Sequence, residues 1–400
     1  DGYISASLIK QAGKRVTLCA VNPEKALTGD AAKAFKLWRD EGGEVNAYTS
    51  ELLNRSDLII DAMLGTGITS SVRDNFAKII NEINTSNKPV LSIDVPSGIS
   101  SDTGQPLGIA IQASKTITFV GIKQGLTTTI GKQHCGELIF DDLNIGPAFF
   151  ELATSSGTLI NIKSFKKLGA RNLNSHKGTH GKLLCVGGNE GTAGAIRLSS
   201  EAALRAGAGI VKVYTHSSSV VPVSIGRPEL MVTSTNLKEA LEWASCVVIG
   251  PGLGLNEWAQ KTFEEVIYYC QTNNMPLVID ADALNLLSKQ ASSYTLKQCV
   301  LTPHPGEASR LLSKTIVDVE SNRFENARLC AKRYNATCVL KGAGTLIDNA
   351  ENTWVCEDGN AALAVGGSGD VLTGIIGALL AQGLNIDEAA RYGVTLHAKA

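Results

Sequence analysis

The feature that most constrains the fold of this chain is a series of short, continuous apolar runs separated by stretches with helical spacing. Runs such as Leu183–Val186, Val247–Ile249 and Leu277–Ile279 contain no charged or strongly polar residue. Strands that are apolar on both faces are typical of parallel sheets covered by helices on each side. The pattern therefore predicts an α/β fold in which strands and helices alternate.

The alternation is interrupted once, at a turn-rich stretch over residues 144–158 that contains Pro147 and Gly157. The 400 residues are also too many for one ordinary core. We therefore predict a domain at 1–155 and a second at 156–400. The strand candidates of the first are Val16–Val21, Leu58–Leu64, Val90–Val95, Thr116–Val120 and Glu137–Phe140, and its helix candidates are Glu24–Glu41 and Asn75–Ile83.

The second half restarts the alternation. Gly207 and Gly383 stand where glycines that end helices are expected. Its strand candidates are Leu183–Val186, Ile210–Tyr214, Val247–Ile249, Leu277–Ile279, Val300–Thr302 and Thr337–Leu340, and its helix candidates are Ala193–Ala206, Glu257–Cys270, Val319–Tyr334 and Val371–Ala381. In such layers, ligands bind at the carboxyl ends of the strands.

Charge and cysteine content limit the partners. The net charge is −1, and no block of like charges suggests a nucleic-acid or membrane surface. The nine cysteines show no pairing pattern, which is typical of reduced thiols in a cytoplasmic protein. We expect a small-molecule substrate, no nucleic acid or membrane as partner, and a homo-oligomer.

The clearest chemical signal is the sequence Gly366-Gly367-Ser368-Gly369-Asp370 before an apolar helix candidate. Its glycines let the backbone approach a phosphate, and the helix amides can bind the anion. Asp370 would then take a proton from a hydroxyl that attacks a phosphoryl group. The alternative is an aspartate that only caps the helix.

Three further loops follow apolar strands in the second half. They are Gly250–Gly254, Thr302–Glu307 and Lys341–Thr345. Each could be a tight turn or a close approach to a ligand. No lysine that follows glycine is itself followed by Ser or Thr, so no Walker A phosphate loop is present.

The ordered set of these loops resembles the ADP/ATP-dependent NAD(P)H-hydrate dehydratase family, a ribokinase-like group. It includes His176–Lys182, Gly187-Gly188, Gly191–Ala195, Arg205–Gly209, Arg227–Glu229 and Asp280–Leu284, and covers about residues 165 to 400. The resemblance implies that Asp370 is the base and contacts the substrate. It implies that Ala195, Gly254 and His304 line the hydrated nicotinamide site, and that Gly369 and Lys341, Gly342, Ala343, Gly344 and Thr345 bind the nucleotide, with ADP or ATP as phosphoryl donor and Mg²⁺ as cofactor.

The first half resembles the NAD(P)H-hydrate epimerase domain through Asp57–Gly67 and Ser92–Gly98. This resemblance implies a Rossmann-like three-layer domain before a ribokinase-like three-layer α/β/α domain. It implies that Asp61 and Ser97 hold K⁺ and that Asp94 is a substrate-binding and catalytic carboxylate. The implied substrate loop is Gly65, Thr66, Gly67, Ile68, Thr69, Ser70 and Ser71. From the residues alone, Asp61 and Asp94 could instead cap the loops that follow their strands.

The family pattern has an Asn-Asn-Gly-Gly-Asp-Gly loop of which only Asp1-Gly2 is present, and the sequence stops at Leu396–Ala400, where the family continues with further helix. We therefore expect an internal piece of a longer protein, with epimerase activity in doubt.

The function implied is repair of hydrated NADH and NADPH. The second domain would dehydrate the S form with a nucleotide, preferably ADP, and the first would interconvert R and S forms. The alternatives are a ribokinase-like kinase of a small vitamin-precursor alcohol and a nucleotide sensor without catalysis.

Overall fold

The computed structural model of the chain describes residues 1–22, 26–166, 168–290 and 296–400. The chain forms two compact units, unit 1 at residues 1–155 and unit 2 at residues 156–400. Both consist of helices and largely parallel strands, so the predicted α/β class is confirmed.

Unit 1 contains a two-stranded sheet, β1-β2, and a four-stranded sheet in the order β3-β4-β5-β6, both parallel. The strands are β1 Leu18–Ala20, β2 Val45–Ala47, β3 Ile59–Asp61, β4 Val90–Ile93, β5 Lys115–Phe119 and β6 Glu137–Asp141. The helices are α1 Gly2–Gln11, α2 Gly29–Asp40, α3 Glu51–Asn54, α4 Asp74–Thr85, α5 Thr129–Cys135 and α6 Gly146–Leu152.

Unit 2 is built on one ten-stranded sheet in the order β10-β9-β8-β11-β12-β13-β14-β15-β16-β7. Only the pairs β14–β15 and β15–β16 are antiparallel. The strands are β7 Thr158–Ile160, β8 Lys182–Val186, β9 Ile210–Tyr214, β10 Met231–Thr233, β11 Cys246–Ile249, β12 Leu277–Ile279, β13 Cys299–Leu301, β14 Thr337–Leu340, β15 Leu346–Asp348 and β16 Thr353–Cys356. The helices are α7 Ala193–Arg205, α8 Val220–Ser224, α9 Leu237–Trp243, α10 Glu257–Thr272, α11 Ala281–Lys289, α12 Pro305–Leu312, α13 Ile316–Ser321, α14 Arg323–Tyr334, α15 Ser368–Ala381 and α16 Ile386–Lys399.

The central strands of unit 2 are buried on both faces. Successive residues of one strand belong to two different apolar clusters, as Val247 and Val248 of β11 do. Every residue of β11, β12, β13 and β14 is buried. This is why these runs lack the polar alternation of a half-exposed strand.

Helix α15 packs closely against α7 and against the sheet because glycines remove side chains from both contacts. A Cβ atom on Gly374 would lie 2.0 Å from the Ser199 carbonyl oxygen of α7, and one on Gly377 would lie 2.4 Å from Val248 of β11. Since α7 and α15 both begin at candidate site loops, their close packing fixes these loops relative to one another.

Several predicted boundaries differ from the structure. The predicted helix Val319–Tyr334 is two helices, α13 and α14, because the Asn322 side chain accepts from the Glu325 amide and starts a new helix. The stretch 144–158, predicted to be a turn-rich connector, contains α6. The predicted helix Glu24–Glu41 begins at Gly29, and Glu24 and Lys25 lie outside the described residues. By contrast, Gly207 and Gly383 directly follow the C-cap residues of α7 and α15 with φ of 100° and 94°, so both glycines stand at helix ends as predicted.

Among the described residues, every helix is too short or too polar to span a lipid bilayer.

The α7–α15 contact generates a stability prediction. Gly374→Ala should lower the free energy of unfolding by about 1–3 kcal/mol, because its methyl group would be forced against the Ser199 carbonyl. Gly194→Ala in the first turn of α7 is the matched control. No atom lies within 4 Å of the position its Cβ would take, so it should raise stability by about 0.5–1 kcal/mol. Urea denaturation of both variants measures this, and equal stabilities would contradict the packing role.

Candidate functional site

In unit 2, the candidate residues gather at one edge of the sheet. Strands β8, β11, β12, β13 and β14 are mutually parallel, so their carboxyl ends lie on the same side. The loops after these strands carry the glycine-rich and acidic sequences. This is the edge where open α/β sheets bind ligands.

Lys341, directly after β14, is the centre of an ionic cluster at this edge. Its ammonium lies 3.0 Å from Asp280 Oδ1 and 3.7 Å from Glu307 Oε2. The other Asp280 oxygen accepts a 2.6 Å hydrogen bond from the Thr373 hydroxyl. We call Lys341, Asp280, Glu307 and Thr373 the lysine cluster. It links four segments: the ends of β12 and β14 and the helices α12 and α15.

Burial and charge set the protonation of this cluster. Burial alone would lower the pKa of Lys341, but Asp280 and Glu307 outweigh it and the net direction is upward. Burial raises the pKa of Glu307 to about 6, although Lys341 acts in the opposite direction. Lys341 is therefore a fixed positive charge at the edge of the sheet.

Asp370 is the third residue of α15, and it does not cap the helix. The N-cap is Gly367, with φ of 86°, and no side chain caps the helix amides. No described residue donates a hydrogen bond to the Asp370 carboxylate. The interpretation of Asp370 as a capping residue is therefore wrong, and its carboxylate is open to a ligand.

The pKa of Asp370 is raised to about 7, first by burial and then by the charge of Asp280, while Lys341 opposes the shift. A carboxylate with a pKa near neutrality can accept a proton at physiological pH and still hold it. Such values are common for general bases.

The backbone before Asp370 leaves room for an anion. A Cβ on Gly369 would lie only 3.3 Å from the Lys341 ammonium, so glycine lets the two approach. Gly366 has open space around its Cα. The free amides of the 14-residue helix α15 and the Lys341 charge together create a positive field beside Asp370.

Two glycine-rich loops are joined at the same edge. The Asn189 side-chain amide donates to the Leu253 carbonyl, and the Gly254 amide donates to Asp282, each at 2.8 Å. Gly254 has φ of 76°, and a side chain there would approach Asn189 to 2.8 Å. The Thr192 hydroxyl donates to the Gly252 carbonyl, so the loop that leads into α7 and Ala195 is fixed to Gly254's loop.

His304 is the N-cap of α12. Its Nδ1 accepts from the Gly306 amide at 3.0 Å, while its own amide donates to Glu307 at 2.8 Å. Burial, followed by the charges of Lys341 and Arg310, lowers its pKa. The imidazole is therefore neutral at pH 7 with its proton on Nε2, and half of the side chain is exposed.

The loop of Lys341–Thr345 is tied to this histidine segment. The Lys341 amide donates to the Pro303 carbonyl at 2.9 Å, and the Thr345 hydroxyl donates to the Gly342 carbonyl at 2.9 Å. Gly342 and Ala343 are exposed. Backbone of this kind can wrap a nucleotide from its open side.

In unit 1, the structure brings Asp61 and Ser97 into contact. The Ser97 hydroxyl donates to Asp61 at 2.5 Å, and the Ser97 amide and the Ser92 hydroxyl each donate at 2.8 Å. Asp61 is 1% exposed. No described lysine, arginine or histidine pairs with it. The carboxylate thus fastens the end of β3 to the loop after β4. It also accepts a hydrogen bond at 3.4 Å from the Met63 amide in the loop after its own strand, as the capping alternative predicted.

Asp94 lies at the carboxyl end of β4 with φ of 69°, in the left-handed region. Its Oδ1 accepts from the Thr118 hydroxyl at 3.1 Å and the Phe119 amide at 3.3 Å, and it also pairs with the Lys123 ammonium. No described residue donates to Oδ2. Three donors therefore orient the carboxylate and leave one oxygen available.

The loop Gly65–Ser71 leaves this end of unit 1 and is mostly exposed. Its start is fixed because the Leu64 amide donates to the Ser97 hydroxyl at 2.9 Å. Gly65 and Gly67 have open space around them.

Asp280, Thr373 and Lys123 have no role predicted from the sequence. Asp280 gave a signal, since it directly follows a continuous apolar strand. Thr373 and Lys123 gave none, because only folding brings them to their carboxylates. No group of three or more acidic, histidine or cysteine side chains within the described ranges forms a metal site.

Two family patterns match the chain. Residues 183–400 match the family described as NAD(P)H-hydrate dehydratase, and residues 1–125 match the family described as YjeF-related protein N-terminus. The bifunctional NAD(P)H-hydrate repair enzyme Nnr of Escherichia coli is 42% identical over 404 residues, which cover 100% of this chain and 77% of that protein. The enzyme of the same name from Vibrio cholerae is 40% identical over 405 residues, which cover 100% of this chain and 81% of that protein.

Solved structures resemble unit 2. A ribokinase-like superfamily protein from Enterococcus faecalis superposes with a TM-score of 0.57 at 32% identity, covering 62% of this chain and 87% of that one. The ADP/ATP-dependent NAD(P)H-hydrate dehydratase of Bacillus subtilis, co-crystallised with ATP and Mg²⁺, superposes with a TM-score of 0.52 at 31% identity. The match covers 58% of this chain and 83% of that one.

With both domain patterns matched in order and full-length relatives at 40% identity or more, the chain belongs to the family of bifunctional NAD(P)H-hydrate repair enzymes.

Proposed function

We propose that unit 2 dehydrates the S form of hydrated NADH and NADPH with Asp370 as general base, and that unit 1 interconverts the R and S forms. The observation that carries the dehydratase role is the Asp370 carboxylate, which is open to a ligand, has a pKa raised to about 7 and stands at the start of α15. Family membership supplies the substrate class.

In the proposed reaction, Asp370 takes the proton from the C6 hydroxyl of the hydrate. At the same time the C6 hydroxyl oxygen forms a bond to the terminal phosphorus of the nucleotide. The phosphoryl–nucleotide bond breaks, and the field of the α15 amides and Lys341 stabilises the charge on the transferred group. Phosphate then leaves C6 with the bonding electrons, aided by the ring nitrogen, and loss of the C5 proton yields the dihydronicotinamide.

The nucleotide is proposed to bind along Lys341–Thr345 and Gly369, with ADP as our choice of donor. Ala195, Gly254 and His304 would line the nicotinamide site, next to the lysine cluster. Mg²⁺ would neutralise the phosphates; it generally binds through the phosphates and one or two carboxylates, which fits a chain whose described residues offer no three-ligand cage.

In unit 1, Asp94 would act on the substrate through its available oxygen, and Gly65–Ser71 would cover the substrate. K⁺ is proposed to bind Asp61 and Ser97. These are oxygen ligands, as hard cations prefer, and the cation would offset the cost of the buried Asp61 charge.

The base role predicts the behaviour of Asp370→Asn. Dehydration should fall by about a hundredfold to ten-thousandfold, while nucleotide affinity holds or rises slightly because a negative charge is lost. In the unaltered protein, the rate should rise with pH through about 7, since only deprotonated Asp370 accepts a proton. Absorbance recovery from hydrated NADH, with calorimetric titration of ADP or ATP, measures both.

Glu388→Gln is the control, because Glu388 is an exposed acid in the first turn of α16. It should leave turnover unchanged. Turnover of Asp370→Asn within about threefold of the unaltered protein would remove the base role. A stable phosphate ester as the product would instead favour the vitamin-precursor kinase.

His304 should affect substrate binding more than nucleotide binding. We expect His304→Ala to raise the Michaelis constant for the hydrate and also to lower the melting temperature, because the N-cap is lost. His304→Asn keeps an N-cap side chain, so it should raise the Michaelis constant with less loss of stability. A large loss of nucleotide affinity with unchanged hydrate binding would place the imidazole in the nucleotide site and not in the nicotinamide site.

The K⁺ proposal predicts that replacing K⁺ by choline lowers the melting temperature of the protein and, in a variant that carries the family's full Asn-Asn-Gly-Gly-Asp-Gly loop, slows interconversion of the R and S hydrates. Asp61→Asn should abolish both responses, because it removes the charge that the ion offsets. Chiral separation of the hydrates and thermal denaturation provide the two measurements. Equal rates and melting temperatures in K⁺ and choline would remove this assignment.

A further inference from the structure

Arg323, the first residue of α14, is an arginine whose side chain is completely buried. Burying a guanidinium is costly unless its donors are satisfied. No role was predicted for this residue from the sequence. It contacts the backbone that carries Lys341.

The guanidinium holds the end of β14. Its Nη2 donates to the carbonyl oxygens of Leu340 and Lys341, each at 3.1 Å, and its Nη1 lies 2.9 Å from Glu320. The two carbonyls belong to consecutive residues: Leu340 is the last residue of β14, and Lys341 is the first residue of the candidate nucleotide loop. Arg323 therefore fixes the peptide on the C-terminal side of Lys341.

Gly342 makes this contact possible. Its φ is 148°, and a Cβ there would lie 2.8 Å from Arg323 Nη2. A side chain at this position would push the guanidinium away from the carbonyls. The glycine that the sequence analysis explained by nucleotide approach is thus also required by the buried arginine beneath it.

Lys341 is also held at its amide and at its side chain. The Lys341 amide donates to the Pro303 carbonyl, next to His304, and the ammonium binds Asp280 and Glu307. Lys341 is consequently fixed through its amide, its carbonyl and its side chain. Among the described contacts of Lys341, the one to its carbonyl comes from a residue outside the loops of the candidate site.

We propose that Arg323 is a positioning residue for the dehydration reaction, which holds Lys341 in place through the backbone so that its ammonium faces the transferred phosphoryl group. This rests on the proposed function of unit 2. Misplacement of a catalytic group by about 1 Å can lower a rate by about a hundredfold, so a clamp on its backbone matters for catalysis.

The charges that face Asp370 give this role a distinct readout. Asp280, Asp282 and Glu307 raise the pKa of Asp370, and among these neighbours Lys341 alone lowers it. If Lys341 moves away, the pKa of Asp370 must rise. The rising limb of the rate against pH then moves to higher pH, a shift that general loss of stability does not produce.

Arg323→Lys is the principal variant. A single ammonium keeps the charge but cannot span both carbonyls and Glu320 in the geometry of a guanidinium. We expect kcat/KM for dehydration to fall about tenfold to a hundredfold, weaker binding of ADP or ATP, and a rising limb shifted upward by about one pH unit. Arg328→Lys is the matched control. Arg328 lies on the same helix, is about half exposed and contacts Thr353 and Asp348 instead. Arg328→Lys should therefore leave both the turnover and the pH range over which the rate rises as in the unaltered protein.

Glu320→Gln is the second variant, because Arg323→Lys could fail to fold. It leaves the core intact, removes only the partly exposed partner of the guanidinium, and should give the same changes at smaller size. Unchanged nucleotide affinity and an unchanged rising limb in whichever of the two variants folds would overturn the proposal and leave Arg323 with a stabilising role alone. Nucleotide affinity is measured separately. If the unaltered protein does not dehydrate the hydrate, the proposed function fails, whereas the comparison of ADP affinity between Arg323→Lys and Arg328→Lys still decides whether Arg323 organises the loop.

Discussion

The ion pair between Lys341 and Asp280 is the interaction on which the arrangement of unit 2 depends. Asp280 ends β12 and Lys341 follows β14, and the two meet across the end of β13. Thr373 brings α15 to the same carboxylate, and Glu307 brings α12 to the same ammonium. Because the pair is largely buried, losing either partner would leave an uncompensated charge at the point where four elements meet.

This arrangement explains how one acid can act as a base among other acids. Burial and the neighbouring carboxylates raise the pKa of Asp370, while Lys341 limits the rise, and the result lies near neutrality. Asp280 cannot take this role, since both of its oxygens are already occupied by Lys341 and Thr373. Glu307 is committed to the His304 amide. Of these three carboxylates, Asp370 is the one to which no described residue donates a hydrogen bond.

Unit 1 solves a related problem differently. Its buried Asp61 is surrounded by hydroxyl and amide donors and not by a described cation, whereas Asp94 is held at Oδ1 by Lys123 and keeps Oδ2 available. Burial raises the pKa of Asp61, and the hydrogen bonds from Ser97, Ser92 and Met63 act in the opposite direction. One acid of unit 1 is therefore suited to shaping the strand ends and the other to contacting a ligand.

The sequence by itself determined the α/β class, the continuous apolar strands, the glycines that end α7 and α15, and the loops that carry Asp370, His304 and Lys341. These follow from local pattern, because burial on both faces and left-handed backbone leave marks in neighbouring residues. Only the tertiary structure decided what those residues contact. The pairing of Lys341 with Asp280 spans 61 positions and that of Thr373 with Asp280 spans 93. The break between α13 and α14, the clamp of Arg323 on β14 and the pKa of Asp370 likewise depend on burial and distance, which the order of residues along the chain does not contain.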